Sequence, residues 1–379
     1  MAKFGVLIRE KDYCLLMGFT LGDSLRALSG PILITGHTGF KGTWLSLLLE
    51  KMDIGYVGVS LPPTKDSLFS KLAKSSQDSG VYGDIRDISF LKEVFNNYNP
   101  SAVIHMAAQP LVLESYKIPI ETFETNVMGT VNVLDTAMRN PGTKGVVVVT
   151  TDKVYRNDNS GRKFIESDPL YGKDPYSASK VGSEAAISAW QQLSRSASEI
   201  SISSVRAGNV IGGGDSAENR LLPDLIRGFI KNHDVEIRNP NSTRPWQHVL
   251  DPLIGYLQVL EAGIATRSHS SYNFGPRESS LSVKQVANIA SNRWGNGAKF
   301  HFLKSPIDDT QEATSLELDV NLAVSNLNWL PTWNQTESIE ITVDWWKKVT
   351  SKKLSAKEAC YSDIEIALSS FVEINSEIR

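Results

Sequence analysis

The chain has 379 residues, 41% of them hydrophobic and 21% charged, with 39 Lys plus Arg against 42 Asp plus Glu and a formal charge of -3. Disorder, collagen and coiled coil are excluded as descriptions of the whole, and the length suits one large α/β domain with an appended lobe. No basic excess is available to hold a polyanion, so no nucleic-acid partner is expected.

Residues 1–30 read as an N-terminal extension. Lys3, Arg9 and Lys11 precede a short apolar stretch at 14–21, but Asp12 and Gly18 interrupt it and no small-residue cleavage site follows, so no signal peptide is expected. No apolar run reaches the length of a membrane span, and no membrane partner is expected. Cys14 and Cys360 have no metal-ligand spacing, which predicts no metal site and a reducing, cytoplasmic compartment.

Short β-branched runs follow at 31–35, 56–60, 102–106, 145–150 and 202–206. They are apolar at successive positions, as in parallel strands buried on both faces. Helical patterns lie between them at 43–52, 90–97, 120–139 and 176–195. Strand–helix alternation of this kind predicts a Rossmann-type, doubly wound parallel α/β sheet over residues 31–206. After residue 206 Gly212-Gly213-Gly214 reads as a flexible turn. Short helices (221–231, 250–265, 283–291) and strands (236–238, 272–274) then predict a smaller mixed α/β lobe over 207–349, with some exchange of chain between lobes. Residues 350–379 read as a helical extension, and Trp345-Trp346 as a packing anchor.

Gly36-His37-Thr38-Gly39-Phe40-Lys41-Gly42 joins the first strand to the first helix. Glycines there let a dinucleotide diphosphate approach the backbone, and a helix N-terminus offers unpaired N–H groups. The acid that commonly binds the adenosine ribose is missing where the second strand ends. Ser60 stands there instead, so this position leaves NAD against NADP open. Asp84 is suited to an adenine amine.

The fifth strand ends in Thr150-Thr151-Asp152-Lys153, and Tyr176 and Lys180 follow at i and i+4 on the next helix. Open α/β sheets place their sites at such strand ends. An ammonium beside a phenol favours phenolate, so Lys180 is expected to lower the Tyr176 pKa and make it a base for a sugar hydroxyl. His37 and His105 read as shaping or core residues.

These residues, with the runs 105–112, 126–130, 205–215 and 244–249, resemble the extended short-chain dehydrogenase/reductase family. Within it they resemble the nucleotide-sugar dehydratases that act on CDP-glucose, which carry Asp-Lys where the dTDP-glucose type carries Asp-Glu. The resemblance implies NAD as a recycled hydride carrier, held by Gly36, Thr38, Gly39, Phe40, Lys41, Gly42, Ser60, Asp84, Ile85, Ala107, Ala108, Gln109, Asn126, Thr150, Tyr176 and Lys180. It implies catalysis by Tyr176 with Lys180 and Thr151, with Lys153 as base at C5 and Asp152 as acid at the 6-hydroxyl. It assigns the nucleotide sugar to Gln109, Asn209, Arg220, Arg244 and His248, although a histidine beside Trp246 is by default a packing residue. A homodimer built on the helices at 120–139 and 176–195 is expected, as is a place in deoxysugar and surface-polysaccharide synthesis. The chain departs from the family at Val154, usually Cys, at 156–174, and at Thr310-Gln311-Glu312-Ala313, where the usual His is absent. A 4-epimerase would keep Tyr176 and Lys180 without needing Asp152 and Lys153. The alternative outside enzymes is an NAD-binding regulator.

Overall fold

A computed structural model describes residues 21–72, 80–158, 160–197, 199–295, 297–303 and 316–377. Cys14, most of the N-terminal extension and the 310–313 motif lie outside these residues.

Seven parallel strands form the central sheet: β1 (Ile32–Thr35), β2 (Tyr56–Ser60), β3 (Gly80–Tyr82), β4 (Ala102–His105), β5 (Gly145–Val149), β6 (Ser201–Ala207) and β7 (Ser271–Phe274), in the order β7-β6-β5-β4-β1-β2-β3. β1, β4, β5 and β6 are buried along their whole length; the first three are almost wholly apolar, whereas β6 buries Ser201, Ser203, Ser204 and Arg206 with hydrogen-bond partners. Strand order reverses at β1, so the crevice above the carboxyl ends of β1 and β4 is where this architecture binds a ligand.

Three expectations change. The strand expected at 272–274 belongs to the central sheet, where Ser271–Phe274 pairs with Ser204–Ala207. The helix expected at 120–139 is broken into Pro119–Phe123, one wide π-helical turn at Glu124–Met128, and Gly129–Arg139. Gly212-Gly213-Gly214 is buried rather than flexible. A Cβ on Gly213 would lie 2.0 Å from the Trp345 ring, and the Gly213 carbonyl accepts a hydrogen bond from Trp44 Nε1. Close backbone approach to two indoles explains the glycine, and Trp345 anchors the packing as expected.

The second lobe carries helices Leu221–Lys231, Val283–Trp294 and Gln335–Thr350 around one apolar cluster that includes Phe229, Val286 and Val343. The helix Leu250–Thr266 instead joins the cluster under the central sheet. The C-terminal helix Ala356–Glu377 lies against Phe40–Lys51, with ion pairs Lys51–Glu365 (2.5 Å) and Lys357–Glu50 (2.8 Å). Among the described residues, no helix is long and apolar enough to cross a membrane.

Candidate active site

The turn after β1 is shaped by steric need. Gly36 has φ 79°, and a Cβ there would lie 2.8 Å from the Ala107 amide nitrogen. A Cβ on Gly42 would lie 2.1 Å from the Gly36 carbonyl oxygen. Gly39 stands at the N-cap of Phe40–Lys51 with no side chain capping the helix. The first-turn N–H groups therefore have no partner within the helix, and a diphosphate fits against them. Gly42→Ala is expected to push the turn open, weakening dinucleotide binding at least ~10-fold and costing about 1–3 kcal/mol of stability. Titration calorimetry with NAD beside a thermal melt checks both.

The remaining cofactor candidates differ in what they offer. Ser60 is buried, and its hydroxyl accepts from the Thr38 N–H (3.2 Å), so it pins the turn. Asp84 accepts from the Arg86 N–H (2.8 Å) and guanidinium (2.6 and 2.9 Å), and these bonds hold its carboxyl below the usual range. Ile85 packs against Gly129. Asn126 clasps the loop after β4: Oδ1 accepts from Gln109 N–H (2.8 Å), and Nδ2 donates to Gln109 O (3.0 Å) and Ser179 Oγ (2.9 Å). The Gln109 amide is turned back onto Leu111 and Thr122. Asn126 and the Gln109 side chain thus shape the wall of the crevice in this arrangement, and Ala107 and Ala108 line it.

His105 is a core residue, as read from the sequence. Thr130 Oγ1 donates to the Asn126 carbonyl (2.6 Å) and so accepts from His105 Nε2–H (3.0 Å). Nδ1 then accepts from Thr35 Oγ1 (2.6 Å), whose oxygen accepts the Met106 and Ala107 N–H groups. Every proton has a place in this neutral tautomer, and burial lowers the pKa to about 3. His37 is likewise buried, with its ring against Phe69 and Tyr82.

Thr151, Asp152, Tyr176 and Lys180 are all buried and meet above β5. Thr151 Oγ1 donates to Asp152 Oδ1 (3.0 Å), and the Thr151 hydroxyl acts to lower the Tyr176 pKa. Burial raises the Asp152 carboxyl pKa, against the pull of Lys153, the Thr151 hydrogen bond and Arg244. A carboxyl kept protonated in this way suits a general acid.

The expected lowering of the Tyr176 pKa is absent. Burial pushes the phenol up to about 12, partly opposed by the Thr151 hydrogen bond. Lys180 donates to the Val149 carbonyl (3.1 Å), and burial lowers its own pKa to about 8. Desolvation of the phenolate outweighs the ammonium one helical turn away.

From the second lobe, Asn209 pairs with Trp246 across the short strands Asn209–Ile211 and Trp246–His248. Gly208 and Pro245 close over Asp152: a Cβ at Gly208 would lie 3.2 Å from Asp152 Oδ2 and 2.8 Å from Pro245. Arg244 stands next to Pro245. Arg220 is held by Asp215 (3.1 Å), and its charge helps lower the Lys41 pKa to about 7, behind burial. Lys41 Nζ donates to Tyr256 Oη (3.4 Å) on the helix Leu250–Thr266, a contact the glycine motif did not announce.

His248 must be removed from the substrate set. It is fully buried between Trp44 (5.7 Å between ring centroids) and Trp333 (4.5 Å), and burial lowers its pKa to about 3. Val154 is fully buried with Tyr155, Phe164, Leu316 and Leu318, so this departure from the family is a packing position.

Sequence reasoning missed one buried network. Thr150 Oγ1 donates to Glu184 Oε1 (2.6 Å), and Arg206 pairs with both Glu184 oxygens (2.8 and 2.9 Å). Arg206 Nη1 also donates to Tyr155 Oη (2.8 Å) and the Glu166 carbonyl (2.9 Å). Glu184 falls four residues after Lys180, a spacing that could have flagged it.

The model of the NAD dependent epimerase/dehydratase family matches residues 32–275. A CDP-glucose 4,6-dehydratase from Salmonella typhimurium is 42% identical over 325 residues, covering 83% of this chain and 90% of that protein. A UDP-glucose 4-epimerase from Erwinia amylovora is 26% identical, covering 83% of this chain and 97% of that protein. Among solved structures, a UDP-glucose-4-epimerase from Stenotrophomonas maltophila with bound NAD and formylated UDP-arabinopyranose superposes with a TM-score of 0.74 at 21% identity, covering 86% of this chain and all of that one. The seven-stranded sheet, the glycine turn and the cluster above β5 thus accompany a family match over most of the chain, and the protein belongs to the NAD dependent epimerase/dehydratase family.

Proposed function

We propose that the protein is a CDP-glucose 4,6-dehydratase that uses NAD and releases CDP-4-keto-6-deoxyglucose and water. The observation that carries this reading is Asp152, a buried carboxyl with a raised pKa that accepts a hydrogen bond from Thr151, next to Lys153 and in one buried cluster with Tyr176 and Lys180. An epimerase needs the phenol but has no use for a second acid and base. The Asp-Lys pair and the 42% identity to a CDP-glucose enzyme support the nucleotide.

NAD would supply a hydride acceptor that later returns the hydride and, in its oxidised form, a positive charge that favours phenolate. Gly36, Gly39 and Gly42 would hold its diphosphate. Tyr176, aligned by Thr151, takes the proton of the sugar 4-hydroxyl. The resulting 4-ketone acidifies C5–H, and Lys153 removes that proton. Asp152 gives its proton to the 6-hydroxyl, which leaves as water; the hydride then returns to C6 and Lys153 gives the proton back to C5. Asn209, Arg220 and Arg244 would hold the nucleotide diphosphate, for which the guanidinium fork is suited.

Incubation with CDP-glucose, UDP-glucose and dTDP-glucose followed by mass spectrometry tests the reading. A product of CDP-glucose lighter by one water is expected. A mass-neutral product would point to epimerisation, and no product from any of the three would sink the enzyme reading.

The protein is also read as a homodimer. Leu113, Tyr116, Ile120, Phe123 and Met128 expose an apolar face along successive helical segments, with Ile120 76% exposed. Ile120→Glu is expected to convert a dimer into a monomer in sedimentation velocity, and a monomeric wild type would refute this. A cytoplasmic, deoxysugar-forming role accords with the reaction.

A further inference from the structure

The turn Asp152–Val154 carries the proposed acid and base, and one ion pair touches both of its ends. At the start, Thr150 donates to Glu184 (2.6 Å); at the end, Tyr155 Oη receives Arg206 Nη1 (2.8 Å) and donates to Asn273 Oδ1 (2.7 Å) on β7. Glu184 and Arg206 side chains are each 5% exposed, and their forks meet in two bonds. A buried pair of this kind is costly to desolvate and is often no more stable than an apolar replacement, so stability alone does not account for it. Glu184 also lies one helical turn beyond Lys180, whose amine is fixed to Val149, the residue before Thr150.

We infer that Glu184 and Arg206 are positioning residues that bracket the 151–155 turn and set Asp152 and Lys153 in register with Tyr176 and Lys180. The inference rests on the dehydratase reading for the roles of those four residues. The ion pair acts on geometry: Glu184 fixes where β5 ends, and Arg206 fixes where the chain leaves the turn. Misplacement of an acid or base by about 1 Å costs ~10²-fold in rate, so a small release of either end is enough to matter.

The test uses the full chain carrying Glu184→Leu together with Arg206→Met, which keeps volume and leaves no buried charge unpaired. Tyr155→Phe, which removes only the clasp at the far end, is the second variant. Thermal melts and dinucleotide affinity establish that each folds. The expected result is kcat on CDP-glucose about 10²-fold lower, KM within about threefold, and faster backbone hydrogen exchange over 151–155. A purely structural pair predicts that the double variant, once folded, recovers kcat to within twofold with unchanged exchange over 151–155, and that result overturns the inference. Should the double variant not fold, Tyr155→Phe decides by the same two readouts. If the wild type itself leaves CDP-glucose unchanged, the dehydratase reading fails, and the exchange measurement still decides whether the ion pair holds the turn.

Discussion

Replacing Tyr176 with phenylalanine is expected to lower turnover of CDP-glucose by about 10³-fold while NAD and nucleotide-sugar affinity change little. The ring is buried, so removing one oxygen leaves the packing in place. What is lost is the hydroxyl that receives the proton from the 4-hydroxyl. Burial pushes the phenol pKa up to about 12, so the residue is expected to act as a base only with a positive charge beside it. A variant keeping more than a tenth of wild-type kcat would show that another group takes this proton. A non-catalytic regulator would lose nothing, so the same variant separates the two classes of function.

The second large effect is expected at the elimination pair. Asp152→Asn should reduce formation of the dehydrated product by ~10²–10⁴-fold, since a positioned acid contributes that much to departure of a poor leaving group. Lys153→Met should do the same, and the two variants differ in a way mass spectrometry in deuterated water resolves. With Lys153 intact, the Asn variant still exchanges the C5 proton with solvent; the Met variant does not. Equal C5 exchange in both would assign the C5 base elsewhere. The pH dependence has a definite sign. An acid with a raised pKa keeps its proton to higher pH, so wild-type rate falls as pH rises through that pKa. The limb should be missing from the Asn variant.

The parts of the molecule legible in the sequence were those governed by local pattern. Buried parallel strands announce themselves as short runs rich in β-branched residues, and all five strands expected over residues 31–206 match to within one residue at each end. β3 did not announce itself, because Gly80–Tyr82 is three residues long and only partly buried. The π-helical turn inside 120–139 left no periodic trace, since apolar spacing over five residues cannot distinguish a wide turn from a normal one. In the site, Thr151, Asp152, Tyr176 and Lys180 were readable because they sit at a strand end and on one helix face. The link between Glu184 and Arg206 was not, because the partners come from a helix and from β6, and no local rule brings them together. His248 shows the opposite case: a motif placed it with substrate contacts, while its burial is a property of Trp44 and Trp333, distant in sequence. The phenol pKa was misjudged because desolvation is a property of the finished fold.

The return of the chain to the central sheet at β7 constrains how the protein is made. The polypeptide leaves the sheet after Ala207 and rejoins it at Ser271, so the sheet cannot be completed until residue 274 has left the ribosome. Long-range parallel pairing of this kind carries a large loop-closure cost before it is rewarded, which makes folding slow and places the aggregation-exposed β6 edge in the waiting intermediate. The lobes are also stitched together by several chain crossings rather than one linker. No single proteolytic cut should therefore release a self-sufficient cofactor domain.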